Sequence, residues 1–466
     1  MRILILGAGR AGRSVAENLV DSSNDITIVD TDRSRIEELQ RHLDLRAIVG
    51  DAASPRVLKA AGAEDVDLVI ALTASDETNL VCSLLADKLF NIPTRIARVR
   101  KNDLRDYSEL VGAKGFQVTS VIWPEETVTD ALQQLIRYPE VLRILNFDDG
   151  NAAIVTLRAT KKSPMLNQPV RALSEHLPEK SVSVVSVYRQ NKPIEVLPTT
   201  EILEGDEVVA LSAKRDIGDL IHELHWREKP IHNVVLTGET DQVLSLANKL
   251  NNGQNAYNIK VITPPGTFDP DTVSALPPDT LFVAGFATDE ETLSSVGIEA
   301  CDTFVSLTRD DKTNIMSTLL AKRMGAKRVI SLVDNQTFGD LIEATPIDVV
   351  VSSTQAMLGE LLKHIRHGDV VSAQTLRRGE AEAIEVIAHG DTKTSKVIGR
   401  SISAIKIPEG VRIAGVVRHS AEGACQVFPA EPTLVIEADD HVIVFVSNKQ
   451  LIAQVEKLFA VDVGFF

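Results

Sequence analysis

The sequence predicts an α/β protein made of two doubly wound parallel-sheet domains, each followed by a small α+β domain. Two observations lead to this prediction: a glycine-rich turn between two apolar runs at the N-terminus, and an internal repeat that returns the first half of the chain as the second. With 466 residues, the chain is also too long for a single hydrophobic core. Its length therefore predicts roughly three or four domains.

The N-terminal stretch has the pattern of a strand, a glycine turn, a helix and a second strand. The apolar run Arg2–Leu6 is short and ends at a glycine, which is typical of a buried parallel strand. The turn Gly7-Ala8-Gly9-Arg10-Ala11-Gly12 fits G-x-G-x-x-G, and the next apolar run ends in Asp30, about twenty residues further on. In such a turn the glycines allow a tight bend, close approach of a pyrophosphate, and close packing of helix on strand.

Asp30 is the residue that selects the ligand in this pattern. Its carboxylate is placed to accept hydrogen bonds from the ribose 2′- and 3′-hydroxyls, which favours NAD, NADH or an adenosine nucleotide over a 2′-phosphorylated cofactor. Arg33 nearby weakens that exclusion slightly. The context predicts a Rossmann-like nucleotide site that includes Gly7, Ala8, Gly9, Arg10, Ala11, Gly12 and Asp30.

Further polar residues follow later strands of the predicted sheet. Asp51 follows the third strand, Thr73 and Ala74 follow the fourth, and Arg98 lies at the carboxyl end of the fifth. Right-handed crossovers bring these strand ends to one edge, where Thr73 is placed to touch a ligand. Asp51 is a candidate for the adenine or ribose side, and capping of the next helix is an equally favoured role. Arg98 is placed to meet a phosphate, with a solvated surface charge as the alternative.

No catalytic domain of a dehydrogenase follows this sheet. A His, Lys or Tyr acid/base beside a substrate pocket is expected there, but the sequence predicts one amphipathic helix over Pro124–Val141. The strand-like runs Ala152–Leu157, Val182–Tyr188 and Glu207–Leu211 then predict a small α+β domain. We therefore predict no catalytic residue.

The chain repeats itself in the order large, small, large, small domain. The run Asp67–Asn79, with its strand and polar loop, returns as Asp302–Asn314. A second amphipathic helix over Ser353–Val370 takes the place of the first one. Matching pairs in the small domains are Arg189 with Arg418 and Asp206 with Asp440.

The second copy lacks most of the nucleotide pattern. Only Gly238 remains of the three glycines, and the position of Asp30 falls near Thr263. Glu239 and Asp241 stand in the loop that would face phosphate, where a carboxylate repels an anion. We expect this domain to keep the fold and to have lost or altered NAD binding, with a different ligand as the alternative.

The composition excludes several classes of function. A formal net charge of -16 disfavours electrostatic binding to nucleic acid or to an anionic lipid surface. No apolar run approaches the ~18 residues of a membrane span and no signal peptide precedes the first strand, so we expect a cytosolic protein. The three cysteines lack C-x-x-C spacing, and the ten histidines share no spacing with carboxylates that indicates a metal. No metal site is therefore predicted.

The motifs together resemble a known family. The glycine turn, Asp30, Gly50-Asp51, the run Thr73–Asn79 and the doubled arrangement resemble the tandem RCK family, the cytosolic regulatory subunits of bacterial Trk potassium-uptake systems. The resemblance covers essentially the full length. It implies two Rossmann-like domains, each followed by an RCK C-terminal domain, with NAD or NADH, or alternatively ATP or ADP, bound by the first.

The resemblance also implies partners and contact residues. The protein would lie on the cytoplasmic side of the inner membrane and form a homo-oligomer, a dimer or tetramer in a gating ring, beneath a membrane potassium transporter of the TrkH or TrkG kind. Glu125 resembles a position that meets nucleotide phosphates or a cation across a dimer interface. The positions that match ligand contacts are Gly7–Ala11, Asp30, Asp51, Thr73, Ala74 and Arg98.

The domain boundaries follow from the repeat and the resemblance. They are 1–123 and 229–350 for the Rossmann-like domains, 124–141 and 351–370 for the crossover helices, and 142–228 and 371–456 for the C-terminal domains.

Two other functions compete with this one. An NAD-dependent oxidoreductase explains the glycine turn, but it leaves the repeat, the altered second copy and the missing acid/base residues unexplained. A nucleotide-sensing scaffold for another channel or transporter explains the same residues with a different partner. Hydride transfer to a small carbonyl substrate would support the first, and a membrane partner unrelated to potassium would support the second.

Overall fold

The computed structural model of the chain describes residues 1–20, 24–225, 230–238, 240–252, 256–266, 273–342, 345–365, 370–376, 381–420 and 424–461. The chain divides into two compact units. The first consists of Met1–Asp130 with Val234–Leu361, and the second of Ala131–Asn233 with Leu362–Phe466. The two large domains therefore belong to one unit, and the two small domains belong to the other.

The first large domain is built on a six-stranded sheet. Its strands are β1 Arg2–Leu6, β2 Asp25–Asp30, β3 Arg46–Val49, β4 Leu68–Ala71, β5 Thr94–Arg98 and β6 Ser120–Ile122. Its helices are α1 Arg10–Leu19, α2 Arg33–His42, α3 Pro55–Ala60, α4 Asp76–Phe90, α5 Ser108–Val111 and α6 Pro124–Arg137. The strand order is β3-β2-β1-β4-β5-β6, and β1 pairs in parallel with both β2 and β4. This order places the switch point between β1 and β4, where ligands bind in doubly wound sheets.

The aliphatic runs explain why the central strands form here. In β1 the residues Ile3 to Leu6 are each at most 1% exposed, and β4 is buried over its whole length. A strand covered by helices on both faces needs such a continuous apolar run rather than an alternating one. The loops that leave the carboxyl ends of β1 and β4 are thereby held on a rigid base.

The first small domain is an antiparallel sheet with two short helices. Its strands are β7 Val141–Phe147, β8 Ala152–Arg158, β9 Val182–Arg189, β10 Lys192–Ile194 and β11 Glu207–Ala213, and its helices are α7 Ala172–His176 and α8 Ile217–Leu224. The strand order is β10-β9-β11-β8-β7.

The second large domain repeats the first. Its strands are β12 Asn233–Gly238, β13 Asn258–Thr263, β14 Leu281–Ala284, β15 Thr303–Leu307, β16 Arg328–Leu332 and β17 Val349–Val351. Its described helices are α9 Thr240–Asn251, α10 Glu290–Ser295, α11 Asp311–Arg323, α12 Gln336–Ile342 and α13 Ser353–Ile365. The strand order β14-β13-β12-β15-β16-β17 corresponds strand for strand to that of the first domain.

The second small domain repeats the first small domain in the same way. Its strands are β18 Val370–Leu376, β19 Ala381–Ile387, β20 Val411–His419, β21 Cys425–Pro429 and β22 His441–Val446, and its helix is α14 Ile452–Phe459. The order β18-β19-β22-β20-β21 is the first small sheet read from its other edge. The predicted fold class, two Rossmann-like domains that each precede a small α+β domain, is confirmed.

The two small sheets of the second unit share one apolar core. Phe147 and Leu211 from the first sheet and Val417 and Phe445 from the second belong to the same buried cluster. Polar contacts join the sheets as well, because the Ser183 hydroxyl donates to the carbonyl of Ala414 at 2.7 Å. Side chains that leave β7 on one sheet and β19 to β22 on the other can therefore meet at the rim of this core.

Several predicted element bounds were wrong. The helix predicted over Pro124–Val141 ends at Arg137, and β7 begins at Val141. Pro139 explains the early end, since the residue before a proline is driven away from helical backbone angles. The strand predicted near Phe116–Val118 lies instead at Ser120–Ile122, because Gln117 has φ +61° and interrupts an extended run.

The second amphipathic helix is described over Ser353–Ile365, and residues 366–369 of its predicted range lie outside the described residues. Its predicted last residue, Val370, begins strand β18 instead. Within the described part of the chain, no helix combines the length and the apolar character that crossing a membrane requires.

In each small domain a buried aspartate forms hydrogen bonds that join a strand to a turn. The Asp206 side chain is 1% exposed and accepts hydrogen bonds from Arg189 Nε at 2.9 Å, from Arg189 Nη2 at 2.8 Å and from the Leu203 N–H at 2.8 Å. Asp440 accepts the corresponding bonds from Arg418 at 2.7 and 2.8 Å and from the Glu437 N–H. The aspartate joins a strand to the turn before the next strand. Both copies of the small domain therefore keep the same stabilising contact.

We predict that Asp206→Asn lowers the free energy of unfolding by about 2 kcal/mol, because it replaces a charge-assisted acceptor that is almost fully buried. The measurement is the midpoint of urea unfolding followed by circular dichroism. Glu204→Gln is the matched control, since that side chain is 54% exposed and its nearest cation lies 3.8 Å away. Equal midpoints for the two variants would contradict the assigned role.

Candidate functional site

The glycine turn after β1 is shaped by two close backbone approaches. Gly7 has φ +107°, and a Cβ on it would lie 2.9 Å from the Leu72 carbonyl oxygen. A Cβ on Gly12 would lie 1.8 Å from the carbonyl oxygen of Gly7. By contrast, no heavy atom of the described residues lies within 4 Å of the corresponding point at Gly9. In this domain Gly7 and Gly12 thus have no room for a side chain, whereas Gly9 leaves open space at the end of the strand.

Helix α1 begins at this open space. Gly9 is its N-cap and has no side chain with which to cap the first turn. The N–H groups of that turn, together with the helix dipole, make such a position favourable for an anion.

Asp30 closes the other side of the turn. Its Oδ2 accepts a hydrogen bond from the Ala8 N–H at 2.6 Å, and its Oδ1 accepts one from the Asp32 N–H at 2.8 Å. The side chain is 11% exposed, and Arg35 approaches to 4.0 Å. Each carboxylate oxygen has a second lone pair, so Asp30 can hold the turn and still accept from two hydroxyl groups.

The loop after β4 is organised by a residue that the sequence analysis did not single out. Asn79 is fully buried, and its Oδ1 accepts from the Thr73 N–H at 2.8 Å and from the Thr73 hydroxyl at 2.7 Å. Its Nδ2 donates to the carbonyl of Arg98 at 2.9 Å. One amide therefore joins the ends of β4 and β5. The signal was available, because Asn314 makes the corresponding bonds to Thr308 and Leu332 in the second copy.

Arg98 lies beneath this loop rather than on the surface. Its Nη2 donates to the carbonyls of Leu72 at 3.1 Å and Thr73 at 2.8 Å. Burial lowers the pKa of the Arg98 guanidinium below its ordinary value. Its Nε is buried and has no hydrogen-bond partner among the described residues. The Leu72 carbonyl that receives Arg98 is the one that packs on Gly7, so the two predicted site residues share a neighbour.

Glu125, at the start of α6, is a second partly buried group, and it too has a buried atom with unused bonding capacity. Burial raises the pKa of its carboxyl to about 7, against the opposing attraction of Arg100 and Arg98. Its Oε2 has no hydrogen-bond partner among the described residues. A half-neutral acid near a buried arginine is typical of a site that receives a further charged group.

Three of the predicted site residues lie apart from the group that Gly7, Asp30, Thr73 and Arg98 form. Asp51 is exposed, and its Oδ1 accepts from the Ala53 N–H at 2.9 Å in the turn before α3. The N-cap of that helix is Ser54, so the capping role considered for Asp51 is wrong. Ala74 is exposed, and its carbonyl accepts from Arg100. Arg10 is turned toward the second large domain.

The contact of Arg10 connects the two large domains of the first unit. Its Nη1 donates to Oδ2 of Asp311 at 3.2 Å. Asp311 begins α11, its side chain is 9% exposed, and the same oxygen accepts from the Asn335 N–H at 2.9 Å. The glycine turn of one domain is thus joined to the helix start of the other through one ion pair.

The second large domain keeps the backbone arrangement of the glycine turn but not the acidic side chain at the end of the second strand. A Cβ on Gly238 would lie 2.7 Å from the Leu307 carbonyl, which is the constraint found at Gly7. Thr263 occupies the position of Asp30, because the Gly285 N–H donates to the Thr263 carbonyl as the Gly50 N–H does to that of Asp30. The Thr263 hydroxyl is buried and has no partner among the described residues. Glu239 lies outside the described residues.

Comparisons with known proteins agree with this architecture. The family model described as the TrkA-N domain matches residues 3–124 and 238–353, and that described as the TrkA-C domain matches residues 154–225 and 391–460. The chain belongs to the TrkA family. It is 40% identical over 467 residues to the Trk system potassium uptake protein TrkA of Halomonas elongata, with all of both chains covered. It is 41% identical over 460 residues to that of Vibrio alginolyticus, with 98% of each chain covered.

These relatives bear on the predicted function. A third TrkA relative, from Haemophilus influenzae, is 38% identical over 463 residues. The names are those of potassium uptake proteins and none is that of an enzyme, so the expectation of a TrkA-type transport protein rather than an oxidoreductase is confirmed.

Solved structures share the fold of the TrkA chain. The GsuK RCK domain gives a TM-score of 0.60 at 17% identity, and the match covers 98% of this chain and 95% of that one. A structure described as the GsuK channel bound to NAD also gives 0.60 at 17% identity and covers 98% of this chain and 78% of that one. At this identity the likeness shows the tandem RCK fold.

We predict that Glu125→Gln makes the chain more stable than wild type at pH 8.5, and that this difference falls to about 1 kcal/mol or less at pH 5. The folded protein holds the Glu125 proton up to about pH 7, whereas the unfolded chain releases it near pH 4.5. Wild type therefore loses stability relative to the glutamine variant as pH rises between these values, by roughly 3 kcal/mol in total.

The measurement is urea unfolding at both pH values. Glu37→Gln, on the exposed face of α2, is the control. An equal difference between variant and wild type at pH 5 and pH 8.5 would contradict the raised pKa.

Proposed function

We propose that the first Rossmann-like domain binds NAD or NADH, with ATP or ADP as alternative occupants, and that the chain regulates a membrane potassium transporter of the TrkH or TrkG kind. The observation that supports the ligand most directly is the position of Asp30. Its carboxylate holds the Ala8 N–H and retains acceptor capacity beside the open face of Gly9. In this placement the ribose hydroxyls of the nucleotide donate hydrogen bonds to the Asp30 carboxylate, and the pyrophosphate of the nucleotide lies over the start of α1.

The phosphate side of the proposed ligand has its own support. Arg98 Nε is a buried donor with no partner among the described residues, and Glu125 lies close enough for the two charges to interact. Leaving such a donor unpaired is costly, and an added phosphate oxygen removes the cost because it accepts the hydrogen bond. Thr73, fixed by Asn79, borders the same edge.

In this proposal Arg10 couples nucleotide binding to the contact between the two large domains. A nucleotide whose phosphates cover the first turn of α1 attracts the Arg10 guanidinium and competes with Asp311 for it. A ligand shifts a conformational equilibrium only by its different affinity for the two states, and this ion pair supplies such a difference between the large domains. A coupling of about 1 to 3 kcal/mol changes transporter opening several-fold.

The second large domain has a structural role in this proposal. It keeps the fold and does not bind NAD, because Thr263 replaces the ribose-binding acid and only one glycine of the turn remains. A different ligand there is the alternative. The relatives named as TrkA potassium uptake proteins support a membrane transporter as the partner, with the chain acting peripherally at the inner membrane. A homo-oligomer, dimer or tetramer, then forms the gating ring.

We predict that NADH binds with one site per chain and that Asp30→Ala lowers its affinity by about 10- to 100-fold, since two charge-assisted hydrogen bonds to the ribose are lost. Calorimetric titration with NADH, NAD and ATP measures this. Thr263→Ala is the matched control, because it alters the same topological position in the second copy and should leave the affinity unchanged. Two equivalent sites would contradict the structural role of the second domain, and no binding would overturn the nucleotide proposal.

We also predict that nucleotide changes potassium flux through the partner. In proteoliposomes that contain a TrkH-type transporter and the full chain, NADH should change flux several-fold, whereas the Asp30→Ala chain should give flux that NADH does not alter. Flux that is the same with and without the chain would exclude gating of that transporter. Flux that responds to the chain but never to nucleotide would leave it as an assembly subunit.

A further inference from the structure

Five side chains with metal-binding atoms meet at one rim of the second unit. Asp148 follows β7 of the first small domain, and the other four come from the second small domain: Glu385 in β19, His419 at the end of β20, Cys425 at the start of β21 and His441 at the start of β22. They form two triads that share Asp148, one with His419 and Cys425 and the other with Glu385 and His441. Within each triad all ligand atoms lie within 4.8 Å of one another.

Asp148 is the centre of the cluster. Its Oδ1 lies 2.7 Å from Nε2 of His419 and 3.5 Å from Nδ1 of His441. Its Oδ2 lies 3.4 Å from Sγ of Cys425. Ligands bound at about 2.0 to 2.3 Å from one ion lie within about 4.6 Å of each other, so only small side-chain shifts separate this arrangement from a coordination sphere.

Two buried carboxylates here have histidine side chains as their ion-pair partners. The side chains of Asp148 and Glu385 are 7% and 1% exposed. Among the described residues, no lysine or arginine forms an ion pair with either of them; the neighbouring groups that carry protons are imidazoles, one thiol, the Asn151 amide and the Asp148 N–H. Buried charge is stable only when it is paired or coordinates a cation, so the cluster favours an added positive ion.

The fold itself does not require these residues. Arg189 with Asp206 and Arg418 with Asp440 mark corresponding points of the two small domains. Counting from them, the first copy has Gln190 where the second has His419, Glu207 where it has His441, and Thr156 where it has Glu385. The strand pairing agrees, since Val209 pairs with Thr156 as Ile443 pairs with Glu385. One strand order thus forms with and without the ligand set.

We propose that this cluster binds one transition-metal ion of the Zn²⁺ class. Asp148, His419 and Cys425 are its direct ligands, and the pair of His441 and Glu385 completes the site. Imidazole nitrogen, thiolate sulfur and carboxylate oxygen together suit Zn²⁺ or Co²⁺, whereas Mg²⁺ and Ca²⁺ take oxygen ligands alone.

The Cys425 thiol proton passes to solvent when the metal binds. Because Asp148 belongs to the first small domain and the other ligands to the second, the ion joins the two sheets that share one core. This site is independent of the nucleotide proposal.

The ligands could not be recognised from sequence spacing. They extend from residue 148 to residue 441, and only His419 and Cys425 lie close together in the chain, with five residues between them. Only the packing of the two small domains brings Asp148 to the second sheet.

The test uses the untagged, full-length chain after removal of metal with a chelator. We expect Co²⁺ to bind at one ion per chain and to give visible d–d absorption together with a thiolate-to-cobalt band in the near ultraviolet, and Zn²⁺ to displace it. Asp148→Asn and His419→Gln should each weaken Zn²⁺ binding by about 100-fold or more, beyond the effect of losing an outer-sphere partner. Cys425→Ser should abolish the near-ultraviolet band, since Cys82 and Cys301 are buried elsewhere.

The matched control is His176→Gln, because Nδ1 of His176 lies 2.8 Å from Glu223 in a pair that has no third ligand among the described residues. Its Zn²⁺ affinity should equal that of wild type. Unfolding midpoints of the metal-free variants check that each variant folds, and His419→Gln is the mildest of them because that side chain is 39% exposed. Binding that does not saturate, or binding that Asp148→Asn and His419→Gln both retain, would overturn the proposal, as would saturable binding of Ca²⁺ or Mg²⁺ but not Zn²⁺.

Discussion

Both large domains depend on one contact. The glycine at the carboxyl end of the first strand lies close to the carbonyl of a leucine at the end of the fourth strand. In the first copy Gly7 lies against Leu72, and in the second Gly238 lies against Leu307. A Cβ at either glycine would come within 3 Å of backbone atoms that cannot move without displacing a central strand. This explains why Gly238 is the one glycine that the second copy retains. The fold needs that position, whereas the open position at Gly9 serves a ligand.

The sequence predicts much of this architecture because the decisive signals are local or repeated. The glycine turn, the acid at the end of β2 and the returning run at Asp302–Asn314 are enough for the fold class and for one edge of the site. The buried amide of Asn79, the depth of Arg98 and the raised pKa of Glu125 depend on which loops pack on one another, which no local pattern encodes. The end of the helix at Arg137 was open to prediction, since Pro139 follows it.

The charged residues discussed above form two groups. In one group the hydrogen bonds stabilise the fold, and in the other a buried side-chain atom has no partner among the described residues. Asp206 and Asp440 have all of their strong partners within their own domains, so they stabilise. Arg98 and Glu125 each retain one buried atom that has no hydrogen-bond partner in the described part of the chain, which costs stability without a ligand. Such a cost is tolerated at positions that bind something, and both residues lie at the sheet edge where doubly wound folds bind ligands.

The duplication separates folding from binding within one chain. The first large domain carries Asp30 and the full glycine turn, whereas the second forms the same sheet with Thr263. Among the small domains the asymmetry is reversed, because the second carries His419, Cys425 and His441 while the first forms the same strand order without them. Each copy is thus an internal control for the other: residues that recur at matching positions belong to the fold, and chemically capable residues found in only one copy are those to test for ligand binding. Asn79 with Asn314 belongs to the first group, and Asp30 and the Asp148 cluster belong to the second.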